Sequence, residues 1–288
     1  MDLTEKHQKL LYPVVRIFAI DAQGRQSAGS GTILYSEPDP ENDGEYLNFV
    51  LTNHHVIDSL ILLKESWDSV MKKNRKKEFF TKAKVEVFEY IRQSVMDSSN
   101  RFVADVVAYS VSHDLALLKV STPRKFEFVA PIFPKDKIND LRLFCDIAVS
   151  GCSMAHEPFC NFGQLTFLSE DIENKQYFMY NAGSYFGNSG GALFWGDENV
   201  LPEYFGHLIG VPSRLTGIQL GFGFDMVTFM GFAAHTSRLY EFLSDQHMDF
   251  IVDKDKTWYD AVDERKQSEK KSTLELALEA EKSCGGCK

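Results

Sequence analysis

Short runs of apolar residues, separated by clusters of Gly, Pro and Asp, follow one another along the chain from Tyr12 onward. Continuous or alternating apolar runs of this length predict β-strands. The first group of predicted strands covers 14–20, 29–36, 47–53, 85–91, 101–110 and 115–120. The second group covers 146–152, 163–169, 176–182, 191–196, 207–211 and 221–227. Many short strands at such spacing are typical of an all-β chain folded as a barrel or sandwich.

Apolar spacing typical of helices is confined to a few places. One predicted helix runs from about Asp58 to Lys77, within an insert at 58–82. A second begins near Thr236, because the apolar residues that follow recur at helical intervals. A last helix is predicted at 272–283, where Ser272 and Glu275 have the spacing of a capping box.

The segment 122–137 separates the two groups of strands and contains three prolines and several charges. Such a composition predicts a connection between two β-domains. We therefore expect an N-terminal extension at 1–13, a first domain at 14–121 and this connection at 122–137. A second domain with its closing helix is expected at 138–251, followed by a charged tail at 252–288.

The overall charge argues against a nucleic acid as the main partner. The 288 residues carry a net charge of −10, which repels a phosphate backbone. The basic run Lys72, Lys73, Arg75, Lys76 and Lys77 is interpreted as a solvated surface.

The first 13 residues lack a secretory pattern, and no apolar stretch is long enough to cross a bilayer. The five cysteines are an odd number, so at least one cannot pair within the chain. We therefore expect a reducing, cytoplasmic setting.

Three segments combine into a pattern with chemical meaning: LTNHHVI at 51–57, SHDLALLKV at 112–120 and GNSGGALF at 187–194. A serine hydroxyl is a weak nucleophile that needs an adjacent base. A neutral imidazole can take that proton and later donate it to the leaving amine, and a carboxylate fixes the tautomer of the imidazole. The order His, Asp, Ser, each beside a strand, is more informative than any one segment.

These segments, together with GSGTIL at 29–34, HLIGV at 207–211 and GFAAHTSRLYEFL at 231–243, resemble the trypsin-like serine peptidases, and specifically their HtrA-like branch. The resemblance runs from about Val14 to Leu243. It implies two six-stranded antiparallel β-barrels with the active site in the cleft between them. The chain departs from the branch in its insert near 58–82, its charged tail and the lack of a following PDZ-like domain.

The resemblance assigns the catalytic roles to Ser189 as nucleophile, His55 as base and Asp114 as its orienting carboxylate. His55 is preferred to His54 because the family places its base three residues after the threonine, here Thr52. His54 and His113 are interpreted as surface or packing residues. Asp114 by itself would be read as a turn residue at a strand edge.

The oxyanion hole is expected in the segment Gly187, Asn188 and Ser189, with the N–H groups of Gly187 and Ser189 as donors. By resemblance, the substrate-binding residues are Gly183, Ser184, Ser213, Arg214, Leu215 and Gly231. No acid stands at position 183, and Leu215 narrows the slot. We therefore expect a small or medium apolar residue before the cut, although Asp225 can still supply a charge.

No cofactor and no metal are expected. Cys145, Cys152 and Cys160 lie within one stretch, but core packing is favoured over a metal or redox site. The gap between Cys284 and Cys287 suits a redox pair or half a metal site, and a flexible tail is the favoured alternative. The tail can also dock a partner through Leu274, Leu276 and Leu278, or remain solvated, and the sequence does not decide between the two.

The predicted function is that of a serine endopeptidase acting on protein or peptide segments. The rival from another class is a trypsin-fold binding or scaffold protein that does not turn over substrate. An esterase is disfavoured, because such enzymes more often place a Gly-x-Ser-x-Gly turn between a strand and a helix of an α/β chain.

Overall fold

A computed structural model describes residues 2–21, 23–68 and 73–268. This part of the chain separates into two compact units. The larger unit lies within 1–60 and 81–242 and contains both β-barrels. The smaller unit consists of 61–80 and the described residues from 243 onward.

The first barrel is closed by six antiparallel strands in the order β1-β2-β3-β8-β7-β6. Its strand β8 is a continuous apolar run in which Leu115, Ala116, Leu117 and Leu118 are all buried. Such a run is expected where both faces of a strand are covered. The first eight strands are β1 Val14–Ile20, β2 Gln26–Pro38, β3 Tyr46–Thr52, β4 Ile61–Asp68, β5 Lys73–Phe80, β6 Ala83–Arg92, β7 Val95–Ser110 and β8 Leu115–Thr122.

The second barrel is closed by six further antiparallel strands in the order β10-β11-β14-β13-β12-β9. Its core packs Leu193, Trp195, Phe178 and Ile209 together. The buried Trp195 ring donates its N–H to the carbonyl of Val200 at 2.8 Å, so its polar atom is satisfied. The strands are β9 Asp146–Gly151, β10 Phe159–Ile172, β11 Lys175–Tyr180, β12 Ala192–Trp195, β13 Leu208–Leu220 and β14 Gly223–His235.

Helices are short and lie at the ends of strands or of the chain. The α-helices are α1 Leu3–Leu10, α2 His54–Ile57, α3 Thr236–Asp245 and α4 at 258–268. Short 3₁₀ turns occupy Asp58–Leu60, Lys135–Asp140, Ser153–Ala155, Pro202–Tyr204 and Asp249–Ile251. None of the helices in the described ranges is long and apolar enough to span a membrane.

The predicted all-β fold with two six-stranded antiparallel barrels is confirmed. Every predicted strand falls largely within an observed one, and the helix predicted near Thr236 is α3. Helix α1 was not predicted, because it is short and only Leu10 is buried along it. The side chain of Asp2 caps it by accepting from the N–H of Thr4.

The helix predicted over the insert at 58–82 is wrong, because its described residues 61–68 and 73–80 pair as the antiparallel strands β4 and β5. The Lys, Glu and Leu residues of this segment favour helices, but helix propensity is a weak preference that strand pairing overrides. In the observed register Glu65 lies directly opposite Lys76, a stabilising cross-strand pair.

In the smaller unit, the described tail places the rings of Phe250 and Trp258 6.0 Å apart and pairs His247 with Glu264. Helix α4 starts at residue 258. The helix predicted at 272–283, with its leucines, and the pair Cys284 and Cys287 lie outside the described residues.

His235, at the end of β14, makes the second barrel sensitive to acid. Its side chain is buried against Phe178, and its Nδ1 accepts a hydrogen bond from the N–H of Ser237 at 3.1 Å. Burial, together with the nearby charge of Arg238, lowers the pKa of His235 to about 4. The folded protein therefore holds this imidazole neutral at pH values where the unfolded chain protonates it.

We expect this group to lower the free energy of unfolding as the pH falls from about 6.5 towards 4. At pH 4 the loss amounts to about 3 kcal/mol, at about 1.4 kcal/mol per unit of pKa difference. Urea unfolding of the wild type and of His235→Asn at pH 7.5 and pH 4 measures it. The wild type should lose about 3 kcal/mol more than the variant, and an equal loss in the two proteins would contradict the assignment.

Candidate active site

His55 lies in the first turn after β3. Asn53 ends the strand in an extended conformation and begins the short helix α2, which contains His55. The Asn53 side chain donates to the carbonyl of Asp114 at 2.8 Å and so ties this turn to the one before β8. The His55 side chain is 44% exposed, and its ring lines a surface cleft.

Asp114 occupies the turn between β7 and β8 in a left-handed backbone conformation, with φ of 53°. One carboxylate oxygen lies 2.9 Å and the other 3.0 Å from Nδ1 of His55. The backbone N–H of His55 donates to the same carboxylate at 3.1 Å, and the Ser213 hydroxyl donates at 2.6 Å. The carboxylate thus has partners in both barrels.

The ionisation of Asp114 determines the tautomer of His55. Burial opposes the charged form of Asp114, but the hydrogen bond and charge of His55 and the hydrogen bond of Ser213 outweigh it and hold the pKa of Asp114 below its ordinary value. An ionised carboxylate accepts hydrogen bonds and cannot donate them. Nδ1 of His55 therefore carries the proton, and Nε2 of the neutral ring remains an acceptor.

The two other histidines of these motifs have different surroundings. The His54 ring stacks on Tyr109 with centroids 5.3 Å apart, and burial lowers the pKa of His54. The carbonyl of His113 accepts a hydrogen bond from the Arg238 guanidinium. Neither histidine lines the cleft that contains His55.

Ser189 lies in the loop between β11 and β12, and the four carbonyls from Phe186 to Ser189 all accept hydrogen bonds. The N–H of Met154 donates to the carbonyl of Phe186 at 2.7 Å, and the Ser30 hydroxyl donates to that of Gly187 at 2.6 Å. The N–H of Gly191 donates to the carbonyl of Asn188 at 2.9 Å, and the N–H of Ser30 donates to that of Ser189 at 2.9 Å. The loop conformation is therefore defined at four consecutive peptide groups.

This pattern determines where the N–H groups of the loop point. In a trans peptide the C=O and the following N–H point in opposite directions. Because the carbonyls of Phe186 and Asn188 are bound within the protein, the N–H groups of Gly187 and Ser189 point the other way. Among the described residues, neither N–H has a hydrogen-bond partner. Two donors directed away from the protein suit an anionic oxygen.

Glycine is required at two positions of this loop. Gly187 has φ of 97°, and a Cβ there would lie 2.8 Å from the carbonyl oxygen of Cys152. Gly190 has φ of 83°, and a Cβ there would lie 2.2 Å from Oγ1 of Thr52. Any side chain at either position would displace the serine loop from the first barrel or from the turn at Cys152.

Asn188, the middle residue of the predicted oxyanion segment, contributes its side chain to the structure of the loop. Its N–H donates to the carbonyl of Tyr185 at 3.1 Å, so it is not a donor of the oxyanion hole. Its buried side chain instead accepts a hydrogen bond from the Ser153 hydroxyl and donates to Ser184 at 3.2 Å. Ser184 in turn lies 3.1 Å from the hydroxyl of Tyr180. Asn188 therefore supports the loop from within.

A cleft of about 390 Å³ contains both His55 and Ser189. Four of the predicted substrate-binding residues line it: Ser184, Ser213, Arg214 and Leu215. The other cleft residues are Tyr185, Phe186, Asn188, Pro212 and Met226. Sequence reasoning did not select Phe186 or Met226, because nothing in their immediate sequence marks them.

Gly183 and Gly231 do not line this cleft. A Cβ on Gly231 would lie 2.4 Å from the ring of Tyr180, so that ring covers the position. The carbonyl of Gly183 accepts a hydrogen bond from Asn161 at 2.8 Å. Asp225 is exposed on β14 opposite Ile218 and is also not among the cleft residues.

The cleft is mainly apolar, and the charge of its one cation is neutralised. Arg214 pairs with Glu173 at 2.7 Å and lies over the ring of Tyr177, and the hydrogen bond and charge of Glu173 raise the pKa of Arg214. No acidic side chain is among the described residues that line the cleft. The described residues of the cleft therefore offer apolar surface and no negative charge.

Three cysteines of the described chain, Cys145, Cys152 and Cys160, have free thiols, and burial raises the pKa of each. Within the described residues, no group of three His, Cys, Asp or Glu side chains is arranged to hold a metal ion.

Two closed β-barrels carry the site, with His55 and Asp114 on the first and Ser189 in a loop of the second. The sequence model of the trypsin-like peptidase domain matches residues 29–201, more than half of the chain. The chain belongs to this family. No curated protein sequence matches it significantly.

Two solved structures show the likeness of fold. A structure of an HtrA-type protease, AlgW, with a tripeptide has a TM-score of 0.57 and 16% identity, covering 86% of this chain and 64% of that chain. The crystal structure of Deg5 has a TM-score of 0.54 and 21% identity, covering 82% of this chain and 90% of that chain. The chain thus spans just under two thirds of the length of the AlgW chain. At these identities the likeness concerns the fold.

The Ser213 hydroxyl provides a test of the site geometry. We expect Ser213→Ala to lower kcat/KM about tenfold or more, because a hydrogen bond to a charged group contributes about 1.5–3 kcal/mol and its loss lets the Asp114 carboxylate move away from His55. Ser213→Thr, which keeps the hydroxyl, is the matched control. Steady-state kinetics on a peptide substrate measure both variants, and an Ala variant as active as the wild type would show that Ser213 does not position Asp114.

Proposed function

We propose that this chain hydrolyses peptide bonds with Ser189 as nucleophile, His55 as general base and Asp114 as the carboxylate that orients it. The observation that carries the proposal is the Nδ1 contact of His55 with Asp114, which leaves Nε2 as an acceptor in the cleft that also contains Ser189. Proton removal from the Ser189 hydroxyl by that nitrogen produces the attacking oxygen.

In the proposed reaction, Oγ of Ser189 attacks the carbonyl carbon of the scissile bond, and its proton passes to Nε2 of His55. The tetrahedral intermediate carries an oxyanion, which accepts hydrogen bonds from the N–H groups of Gly187 and Ser189. Collapse of the intermediate breaks the C–N bond, and His55 returns the proton to the leaving amine. A water molecule then attacks the carbonyl carbon of the acyl-enzyme while His55 removes its proton. Collapse of this second intermediate breaks the bond to Oγ of Ser189, and His55 returns the proton to that oxygen. No cofactor takes part in these steps.

The lining of the cleft supports a preference for a small or medium apolar residue before the cut. Leu215 and Met226 narrow the space beside Ser189, and Phe186 adds apolar surface. A cationic side chain entering this space would lose its hydration without gaining a partner, and that loss is costly. Extended or unfolded protein segments are the proposed substrates.

The proposed location is the cytoplasm. The free thiols of the three described cysteines support it.

An activity-based probe tests the nucleophile. We expect a fluorophosphonate to label the wild type by forming a bond from Oγ of Ser189 to phosphorus with loss of fluoride. Ser189→Ala should not be labelled and should lose casein hydrolysis by a factor of about 10⁴ or more. Ser94→Ala, which removes an exposed serine in the turn between β6 and β7, is the control and should label like the wild type. A wild-type protein that is folded but not labelled would favour a binding or scaffold protein over an enzyme.

A peptide library with every residue in the position before the cut tests the preference. We expect kcat/KM after Ala, Val or Leu to exceed that after Arg or Lys by about tenfold or more, because burying one such apolar side chain contributes about 1.5–3 kcal/mol. Leu215→Gly should shift the preference towards larger apolar residues. Strong cleavage after Arg or Lys would refute the proposed specificity.

A further inference from the structure

A buried ion pair in the first barrel reaches the loop that supports Ser189. Arg16 on β1 lies opposite Glu86 on β6, and its Nε donates to the Glu86 carboxylate at 2.7 Å. The two side chains are 15% and 4% exposed. Burial opposes ionisation of Glu86, but hydrogen bonds from Arg16 and Arg101 outweigh it and hold the pKa of Glu86 below its ordinary value.

The guanidinium of Arg16 has a second partner outside the first barrel. Its Nη1 donates to the carbonyl of Ala155, in the turn that follows β9. Met154 and Ala155 both have left-handed backbone conformations, with φ of 55° and 58°. Two consecutive residues with a Cβ rarely adopt this conformation, and it persists only where neighbouring contacts hold it.

This strained turn carries the donor that orients the oxyanion loop. The N–H of Met154 binds the carbonyl of Phe186 at 2.7 Å, and that bond directs the next N–H, that of Gly187, away from the turn. The Ser153 hydroxyl of the same turn donates to the buried side chain of Asn188. Gly187 has no Cβ to resist rotation of the peptide group that precedes it.

We propose that Arg16 is a positioning residue for the oxyanion hole: held by Glu86, it fixes the 153–155 turn, which keeps the N–H of Gly187 directed at the substrate. Arg16 touches neither the substrate nor the reacting atoms, so it acts through Ala155, Met154 and the Phe186 carbonyl. The inference rests on the proposed function, because it concerns a donor of the same reaction.

Arg101 provides a matched control for Arg16. Arg101 also donates to Glu86, at 3.0 Å, and both guanidinium groups lie over the ring of Phe18. Within the described residues, Arg101 makes no hydrogen bond to the 153–155 turn. Replacement of either arginine by lysine keeps the net charge, but a single ammonium lacks the planar fork that lets Arg16 bind Glu86 and Ala155 together.

The test compares Arg16→Lys, Arg101→Lys and the wild type with an ester or peptide substrate and a peptide aldehyde, which forms a tetrahedral adduct with the serine. We expect Arg16→Lys to lower kcat about 10- to 100-fold, within the effect of losing one oxyanion donor, and to leave KM within about threefold. Aldehyde affinity should fall by a similar factor. Arg101→Lys should keep kcat and aldehyde affinity within about twofold of the wild type.

An Arg16→Lys variant that is folded and retains wild-type kcat and aldehyde affinity would overturn the inference, and so would equal losses in the two lysine variants. If Arg16→Lys does not fold, Glu86→Gln loosens the hold on Arg16 while keeping the shape of the side chain, and the same fall in kcat without a change in KM is expected. A wild-type protein without peptidase activity would instead refute the proposed function, so the two failures are distinct.

Discussion

The hydrogen bonds that Ser30 makes to the loop of Ser189 are the interaction on which the rest of the site depends. Ser30 belongs to β2 of the first barrel, yet its N–H binds the carbonyl of Ser189 and its hydroxyl binds the carbonyl of Gly187. The carbonyl of Ser30 accepts a hydrogen bond from the hydroxyl of Thr52, three residues before His55. The same few atoms therefore hold the turn that contains His55 and the loop that contains Ser189 at one place. Glycines flank Ser30 because neighbouring side chains leave no room for a Cβ: at Gly29 it would lie 2.7 Å from the Val56 side chain.

Electrostatics link the barrels a second time at Asp114. Its carboxylate takes a hydrogen bond from His55 in the first barrel and from Ser213 in the second. Since these contacts keep the carboxylate ionised despite its burial, the charge has a permanent role in fixing the orientation of the imidazole. Chemistry at the cleft is thus supported by two independent links between the barrels, one through backbone carbonyls and one through a charge.

The buried polar side chains beside Ser189 are paired by hydrogen bonds between neutral groups. Asn188 is surrounded by Ser153, Ser184 and Tyr180, and each side chain finds a partner. A buried neutral network that is fully satisfied costs little to bury, whereas a charge at position 188 would need a counter-ion. The loop is therefore held by hydrogen bonds and by the adjoining 153–155 turn.

The sequence by itself determined the class of the fold and led to the three residues proposed for catalysis. Apolar residues in strands either alternate with polar ones or form continuous buried runs. Because both patterns are local in the sequence, the twelve strands of the barrels could be predicted. His55, Asp114 and Ser189 were identified because each stands in a short motif next to a strand. The tertiary structure alone decided which neighbours serve the site, because those contacts join residues far apart in the chain. Arg16 meets Ala155, Ser30 meets Ser189, and Met226 faces the cleft, but no local pattern records these distances. It also decided that 61–68 pairs with 73–80 as antiparallel strands, since cross-strand pairing outweighs the weak helical preference of the segment.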